Sequence, residues 1–404
     1  GCTYPEQGGI YAWVRDAFGG RWASRVTWCY WINVTVWIPA IYVLFAGIFN
    51  QLFALQGGLF MQIGIAIALT WLTVAMNIVS LRYGKWIPNL GGMVKMLLFA
   101  GIIFGALRYL GTHGMANPLT AQTLTPNLGE GLQFLPAIIY GMLGFELVSA
   151  GSQEMRDPAR DVPRAILYSG AIVLLLYVLG TVAILAALPV DDINLVEGLV
   201  AALQLFFSDL AIGGALVMAL GLCTLFAVFS SGVTWALGCN RAAAEAALEG
   251  ELPPYFALET RAAGTPVGAA VMMGLISSAV LLLYGLFAGS NEDLFWSLFA
   301  FSGVLFLLPY VGMMLAFLRL RIIDAGRHRP YSVPGGPVVA LLLGWLCLAV
   351  LAMAMVLFMY TPGGGPEWAV ITGVAALLIV GEGVIRYSEL RRARAAQSDS
   401  VATA

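Results

Sequence analysis

Apolar runs of about 20 residues, the length a helix needs to cross the hydrocarbon of a bilayer, recur along nearly the whole chain. They lie near 24–47, 60–81, 87–110, 133–152, 164–187, 210–238, 266–288, 294–318, 338–360 and 367–387. The glycine-rich run at 210–238 is the longest. Of 404 residues, 60% are hydrophobic and only 10% charged, where a soluble domain carries about 25% charged residues. Mean hydropathy is +0.87. The chain therefore reads as an all-α polytopic membrane protein with ten full transmembrane helices. No basic face is concentrated in one domain, which excludes nucleic acid as a partner. The five cysteines are scattered, no CxxC or Cys/His cluster occurs, and His113 and His328 are far apart. No metal, cofactor or disulfide framework is expected.

Arginine placement gives the orientation. Arg15, Arg21 and Arg25 precede the first run, and Arg82 and Lys85 follow the second. Arg156, Arg160 and Arg164 follow the fourth, Arg241 and Arg261 the sixth, Arg319, Arg321, Arg327 and Arg329 the eighth, and Arg386, Arg391, Arg392 and Arg394 the tenth. The opposite side holds Asp191, Asp192, Glu197, Glu292, Asp293 and Glu367, and only Lys95 and Arg108 fall outside the pattern. The positive-inside rule then puts these arginines and the C-terminus in the cytoplasm of a cell-membrane protein. Tyr4 to Gly19 is too short and polar to span and reads as the end of a helix plus a loop. The connection 188–209 has room for one short surface helix. Arg329 to Pro337 reads as a loop, Gly363 to Pro366 as a tight turn, and the tail after Arg394 as disordered.

The stretch Leu132 to Arg164 breaks the pattern most. Its centre, Tyr140-Gly141-Met142-Leu143-Gly144-Phe145-Glu146, places two glycines and an acid where a spanning helix should be most regular. Glycine costs a helix roughly 0.5–1 kcal/mol relative to alanine, Pro136 removes a backbone donor, and a carboxylate at this depth costs about 2.5–3.5 kcal/mol on insertion scales. A broken helix lining a polar cavity accounts for all three, because its freed backbone groups can bind a substrate. Entering from outside, its first half ends at the break with its negative dipole end, which suits an amino group. Glu146 either exchanges a proton with changing access or caps freed backbone donors. Gly141 and Gly144 permit close backbone approach. Lys95, inside the third run, either has a functional partner or snorkels toward the cytoplasm. Glu382 lies one turn from Arg386 and reads as structural.

Four stretches carry a resemblance. YPEQGGIYAWVRDAFG, GFELVSAGSQEMRDPARDVPRAI, NRAAAEAALEGELPPYF followed by GTPVGAA, and RPYSVPGG occur in order. Together they resemble the amino acid–polyamine–organocation superfamily of permeases, and PEQGGIYAWV with WCYWINVTVWIP looks most like its glutamate/GABA antiporter group. The resemblance implies an inverted repeat of five plus five helices. The ten runs would be family helices three to twelve, with the first helix and most of the second lacking. Residues 1–23 would then be a helix remnant and loop, 24–318 the transporter core, 319–337 a cytoplasmic loop, 338–387 two final helices and 388–404 a tail.

It also implies roles. Tyr140 falls where family members carry an aromatic gate, with ordinary packing as its other reading. With Gly141, Met142, Gly144 and Glu146 it would bind substrate, and Trp235 and Trp37 would wall the pocket. Lys95 falls where proton-coupled and exchanging members place a lysine in the position of a sodium ion, so coupling would be sodium-independent. Glu146, Ser230 and Ser231 would complete that coupling set. Buried serines serve equally as packing residues.

The function implied is a secondary active amino acid transporter working by alternating access, exchanging its amino acid for a counter-substrate or coupled to protons. A proton moving down 100 mV supplies about 2.3 kcal/mol. A polyamine or amine exchanger of the same superfamily is the alternative. An embedded enzyme would need a clustered nucleophile, acid–base pair or metal, and a channel a filter or charged ring; neither is visible in the sequence.

Overall fold

A computed structural model describes all residues but 1, 5–8, 56, 80–85, 119, 121–124, 126–130, 147–156, 190–197, 261–263, 363 and 403–404, and the backbone alone at 133, 158, 395, 396 and 398–402. Arg82, Lys85, Glu154, Arg156, Asp191, Asp192, Glu197 and Arg261 therefore lie outside the described residues.

Among the described residues, nine helices are long and apolar enough to cross a membrane. They are α2 (Gly20–Leu52), α3 (Leu59–Val79), α4 (Trp86–His113), α6 (Pro158–Ala187), α8 (Gly213–Leu248), α9 (Val267–Gly285), α10 (Asn291–Ile323), α11 (Gly336–Met359) and α12 (Trp368–Ala402). The expected run at 133–152 is not one helix. A 3₁₀ turn at Gly131–Phe134 leads into α5 (Leu135–Gly141), the backbone leaves helical geometry from Met142 to Glu146, and 147–152 lie outside the described residues.

Tyr4 to Gly19, read as the end of a helix plus a loop, contains α1 (Ile10–Phe18), whose Ile10, Tyr11, Val14 and Ala17 are buried. Those positions recur at helical spacing, so α1 has one apolar face, packed on α2 and α10. The short helix of the 188–209 connection, α7 (Gly198–Phe207), is not on the surface. Its Val200, Ala202, Leu203, Phe206 and Phe207 are at most 2% exposed and pack beside α4 and α8. The tail beyond Arg394 continues α12 to Ala402 rather than being disordered. Arg160, Asp161 and Arg164, expected in a charged loop, belong to the first turns of α6, where Pro158 occupies a starting position that needs no donor. At the turn before α12, Tyr360–Thr361 (β1) pairs antiparallel with Gly365–Pro366 (β2).

α2 is the hub. Some 78% of its most apolar window is buried, against 22–39% for most other spans, and it packs most extensively on α10 and α8. It continues unbroken through Pro39. Burial on all sides forces its polar groups to find partners within the protein. Trp31 Nε1 donates to Asn240 Oδ1 (3.0 Å), Asn240 Nδ2 to Asn77 Oδ1 (3.2 Å), and Asn77 Nδ2 to the Thr73 carbonyl (3.0 Å). Tyr42 pairs with Thr73, and Ser277 Oγ donates to the Thr35 carbonyl (2.6 Å). These bonds tie α2, α3, α8 and α9 into one polar seam.

The arginines gather with acids at one end. Arg25 donates two hydrogen bonds to Glu382 (2.8 and 2.9 Å), Arg15 meets Glu249 (3.2 Å) and Arg21 meets Glu389 (3.3 Å). Glu382 also accepts from Arg386 (2.9 Å), which agrees with its structural reading. Tyr11 donates to Glu249 and Ser24 Oγ to the buried Glu251 (3.1 Å), so α1, α2, the end of α8 and α12 are laced together.

Removing the middle of the polar seam strands two buried partners, each costing about 1–3 kcal/mol if unsatisfied. Asn240→Ala should therefore lower the Tm in detergent clearly more than Ser278→Ala, whose hydroxyl accepts from Trp71 on an exposed face. Equal melting of the two variants would remove the seam's structural role.

Candidate functional site

The break after α5 is made by its own residues. Pro136 sits in the first turn, where a missing donor costs nothing, rather than in the helix interior as the sequence reading assumed. The far end tightens: Met142 N–H donates to the Ile139 carbonyl (3.1 Å) and Leu143 N–H to the Tyr140 carbonyl (3.2 Å). Gly144 then adopts φ +109°, a conformation closed to most side chains. A Cβ there would stand 3.1 Å from Trp235 Cζ2. The two glycines differ in kind. Gly141 is helical, a Cβ there would meet Tyr177 at an ordinary 3.5 Å, and its carbonyl accepts from the Tyr177 hydroxyl of α6 (3.0 Å).

Four elements converge on the break: α2, α5, α8 and α10. Glu146 accepts from the Tyr30 hydroxyl of α2 at Oε1 (3.2 Å). Its Oε2 is buried with no hydrogen-bond partner among the described residues. The Tyr310 hydroxyl of α10, 3% exposed as a residue, faces the same carboxylate without reaching hydrogen-bond geometry. Further aromatic rings pack on these two tyrosines and on one another. Trp235 lies 5.3 Å from Phe306, 6.1 Å from Trp37 and 6.4 Å from Tyr30 between ring centroids. Tyr140 lies 4.8 Å from Phe306 and 4.9 Å from Phe299. An aromatic face attracts a cation, most strongly where water is excluded. A buried carboxylate with a spare oxygen beside such faces is chemically suited to an ammonium group.

The structure thus brings together Tyr140, Gly144, Glu146, Trp235 and Trp37, with Gly141 and Met142 at the helix end beside them. It does not bring the expected coupling residues to them. Ser230 Oγ donates to the Ile87 carbonyl (3.0 Å) and Ser231 Oγ to the Ala227 carbonyl (2.9 Å). Lys95 is one turn beyond Gly91, whose missing side chain lets α4 lie against Ser230. It flanks that seam exposed, with no hydrogen bond or ion pair among the described residues. Tyr30, Tyr177, Phe306 and Tyr310 were missed from sequence. Tyr30 and Trp37 are two helical turns apart, and Phe306 and Tyr310 one turn, but aromatic residues at that spacing are ordinary in a buried helix. No group of three or more metal-ligating side chains occurs among the described residues.

Residues 1–381 match the family model described as amino acid permease. Over 396 residues the chain is 28% identical to a "Probable agmatine/putrescine antiporter" of Lactococcus lactis, covering 96% of this chain and 83% of that one. It is 24% identical over 343 residues to a "Glutamate/gamma-aminobutyrate antiporter" of the same organism, covering 82% and 67%. It is 25% identical over 357 residues to a "Probable polyamine transporter" of Arabidopsis thaliana, covering 85% and 65%.

Substitutions at the two glycines should separate. Gly144→Ala forces a side chain into a φ that costs about 1–3 kcal/mol and pushes Trp235, so transport in proteoliposomes should fall roughly ten-fold or more. Gly141→Ala should cost less than about three-fold, since alanine favours the helix it joins. Equal losses would show that the break does not depend on Gly144.

Proposed function

The chain belongs to the amino acid permease family, a family of transporters rather than enzymes, and on that premise we propose that it is a secondary exchanger of small primary amines in the cell membrane. One observation carries this reading: the buried Glu146 carboxylate keeps an oxygen with no partner among the described residues, beside Tyr30 and Tyr310, whose rings pack on Trp235 and Phe306. A substrate ammonium would supply the missing hydrogen bond and lie on the aromatic faces. A substrate carboxylate at the same place would meet a like charge. The spent carbonyls at the end of α5 retain a second lone pair each and would orient the amine. Alternating access would pivot on the break between Gly141 and Glu146, where the Tyr177 hydroxyl of α6 holds the last carbonyl of α5. The similarity to agmatine/putrescine and polyamine carriers supports this choice of substrate.

Amino acid exchange, the leading expectation from sequence, is the second reading. It is favoured by the match to a glutamate/γ-aminobutyrate antiporter and requires the ammonium at Glu146 with the carboxylate elsewhere. In either case the arginine-rich end and the C-terminus would face the cytoplasm. Counter-substrate exchange is the proposed coupling. Lys95 would add a proton dependence only if it acquires a partner when the transporter changes state.

The test is uptake of labelled putrescine, agmatine and glutamate into proteoliposomes, with and without unlabelled substrate inside, at matched and unequal pH. Amine exchange predicts putrescine uptake that needs internal amine and is not competed by glutamate. Glu146→Gln should slow it about ten-fold or more, since a hydrogen bond to a charged group is worth roughly 1.5–3 kcal/mol. Glutamate uptake untouched by putrescine would favour the second reading. Lys95→Ala should leave exchange at matched pH intact and flatten any response to a pH gradient; an unchanged gradient response would end its coupling role.

A further inference from the structure

Between α1, α2, α10 and α12 runs a groove of about 490 Å³ that shares no residue with the Glu146 site. Its walls are apolar, formed by side chains such as Phe18, Trp22, Trp28 and Leu315, and its charged lining groups are Arg25 and Glu382 alone. It is open sideways, for Trp22 is 58% and Leu315 39% exposed. On helices that cross a membrane, that opening faces acyl chains.

The groove has a charged mouth at one end only. Arg25 donates two hydrogen bonds to Glu382, and the Arg25 guanidinium also lies 5.7 Å from the Trp22 ring. One turn from Arg25 is Arg21, with its side chain 80% exposed, and one turn from Glu382 is Arg386, 71% exposed. The shortest contact of Arg21 with Glu389 (3.3 Å) and of Arg386 with Glu382 (2.9 Å) is made by Nε rather than by the outer fork of the guanidinium. Three guanidinium groups face two carboxylates, leaving a net positive rim above an apolar slot.

We propose that this groove binds an anionic phospholipid, with one acyl chain in the slot and its phosphate on Arg21 and Arg386. The guanidinium fork matches phosphate geometry in pairs of hydrogen bonds, and basic rims between membrane helices select anionic headgroups. A soluble anion would gain nothing from the apolar walls. A zwitterionic lipid would bring its own cation into the arginine field. Because the lipid would touch α1, α2, α10 and α12 together, it would brace the same elements that the ion pairs of this end join.

Native mass spectrometry of the full chain in detergent tests this, with phosphatidylglycerol and phosphatidylcholine of identical acyl chains as probes. Phosphatidylglycerol adducts should exceed phosphatidylcholine adducts by at least about five-fold, the effect of roughly one surface arginine. Arg21→Gln with Arg386→Gln should erase that preference, and Leu315→Trp, which fills the slot, should lower the phosphatidylglycerol adducts to the phosphatidylcholine level. Equal adducts of the two lipids in the unaltered protein, or an undiminished preference in the variants, would mean annular lipid only and overturn the site. If Leu315→Trp does not fold, tryptophan quenching by brominated acyl chains decides. Stronger quenching by brominated phosphatidylglycerol, lost in the arginine variant, supports the site, and equal quenching by both lipids overturns it.

Discussion

A backbone that stops being helical inside a bilayer must find its hydrogen bonds in the protein, because lipid offers none. The end of α5, where helical geometry stops, meets that demand locally and at a distance. Two carbonyls turn back on the next N–H groups of the chain, a third takes the Tyr177 hydroxyl, and the carboxylate that follows takes the hydroxyl of Tyr30. The rest of the architecture can be read as supplying these partners. α6 brings Tyr177, α2 brings Tyr30 and Trp37, α8 brings Trp235 and α10 brings Phe306 and Tyr310. What stays unpaired among the described residues, one carboxylate oxygen and the Tyr310 hydroxyl, is then conspicuous, and it lies where the proposed amine would bind.

Helices were the easy part to foresee. Spans of about 20 apolar residues must be helical in lipid, so the nine long helices among the described residues and the interrupted one follow from hydropathy and a cluster of glycines. The failures have physical reasons. α7 is buried by protein rather than lipid, and hydropathy does not distinguish the two. Within the site, Glu146 and Gly144 were legible because each violates what a plain spanning helix wants, and Tyr140 only through the family resemblance. Tyr30, Phe306 and Tyr310 violate nothing. Their place at the site is a tertiary fact, set by how α2 and α10 turn toward α5. The sequence also suggested that Lys95 would join Ser230 and Ser231, but both hydroxyls are engaged by backbone carbonyls and the lysine stands outside the seam.

Two kinds of polar interaction divide the labour. The seam through Trp31, Asn240 and Asn77 closes on itself and holds α2, α3, α8 and α9 in one register. The contacts around Glu146 are fewer and, among the described residues, incomplete. Under the proposed alternating access, the seam would be the fixed part and the break the part with room to move.

The burial of α2 bears on how the protein is made. Its chief partner, α10, follows it by about 240 residues, so at roughly 5–20 residues per second α2 waits on the order of ten to fifty seconds in the bilayer before that partner emerges. Meanwhile Asn33, Thr35 and Trp31, destined for a protein interior, face lipid, water or a chaperone. The helix most central to the finished transporter is thus the one most dependent on escort during biogenesis.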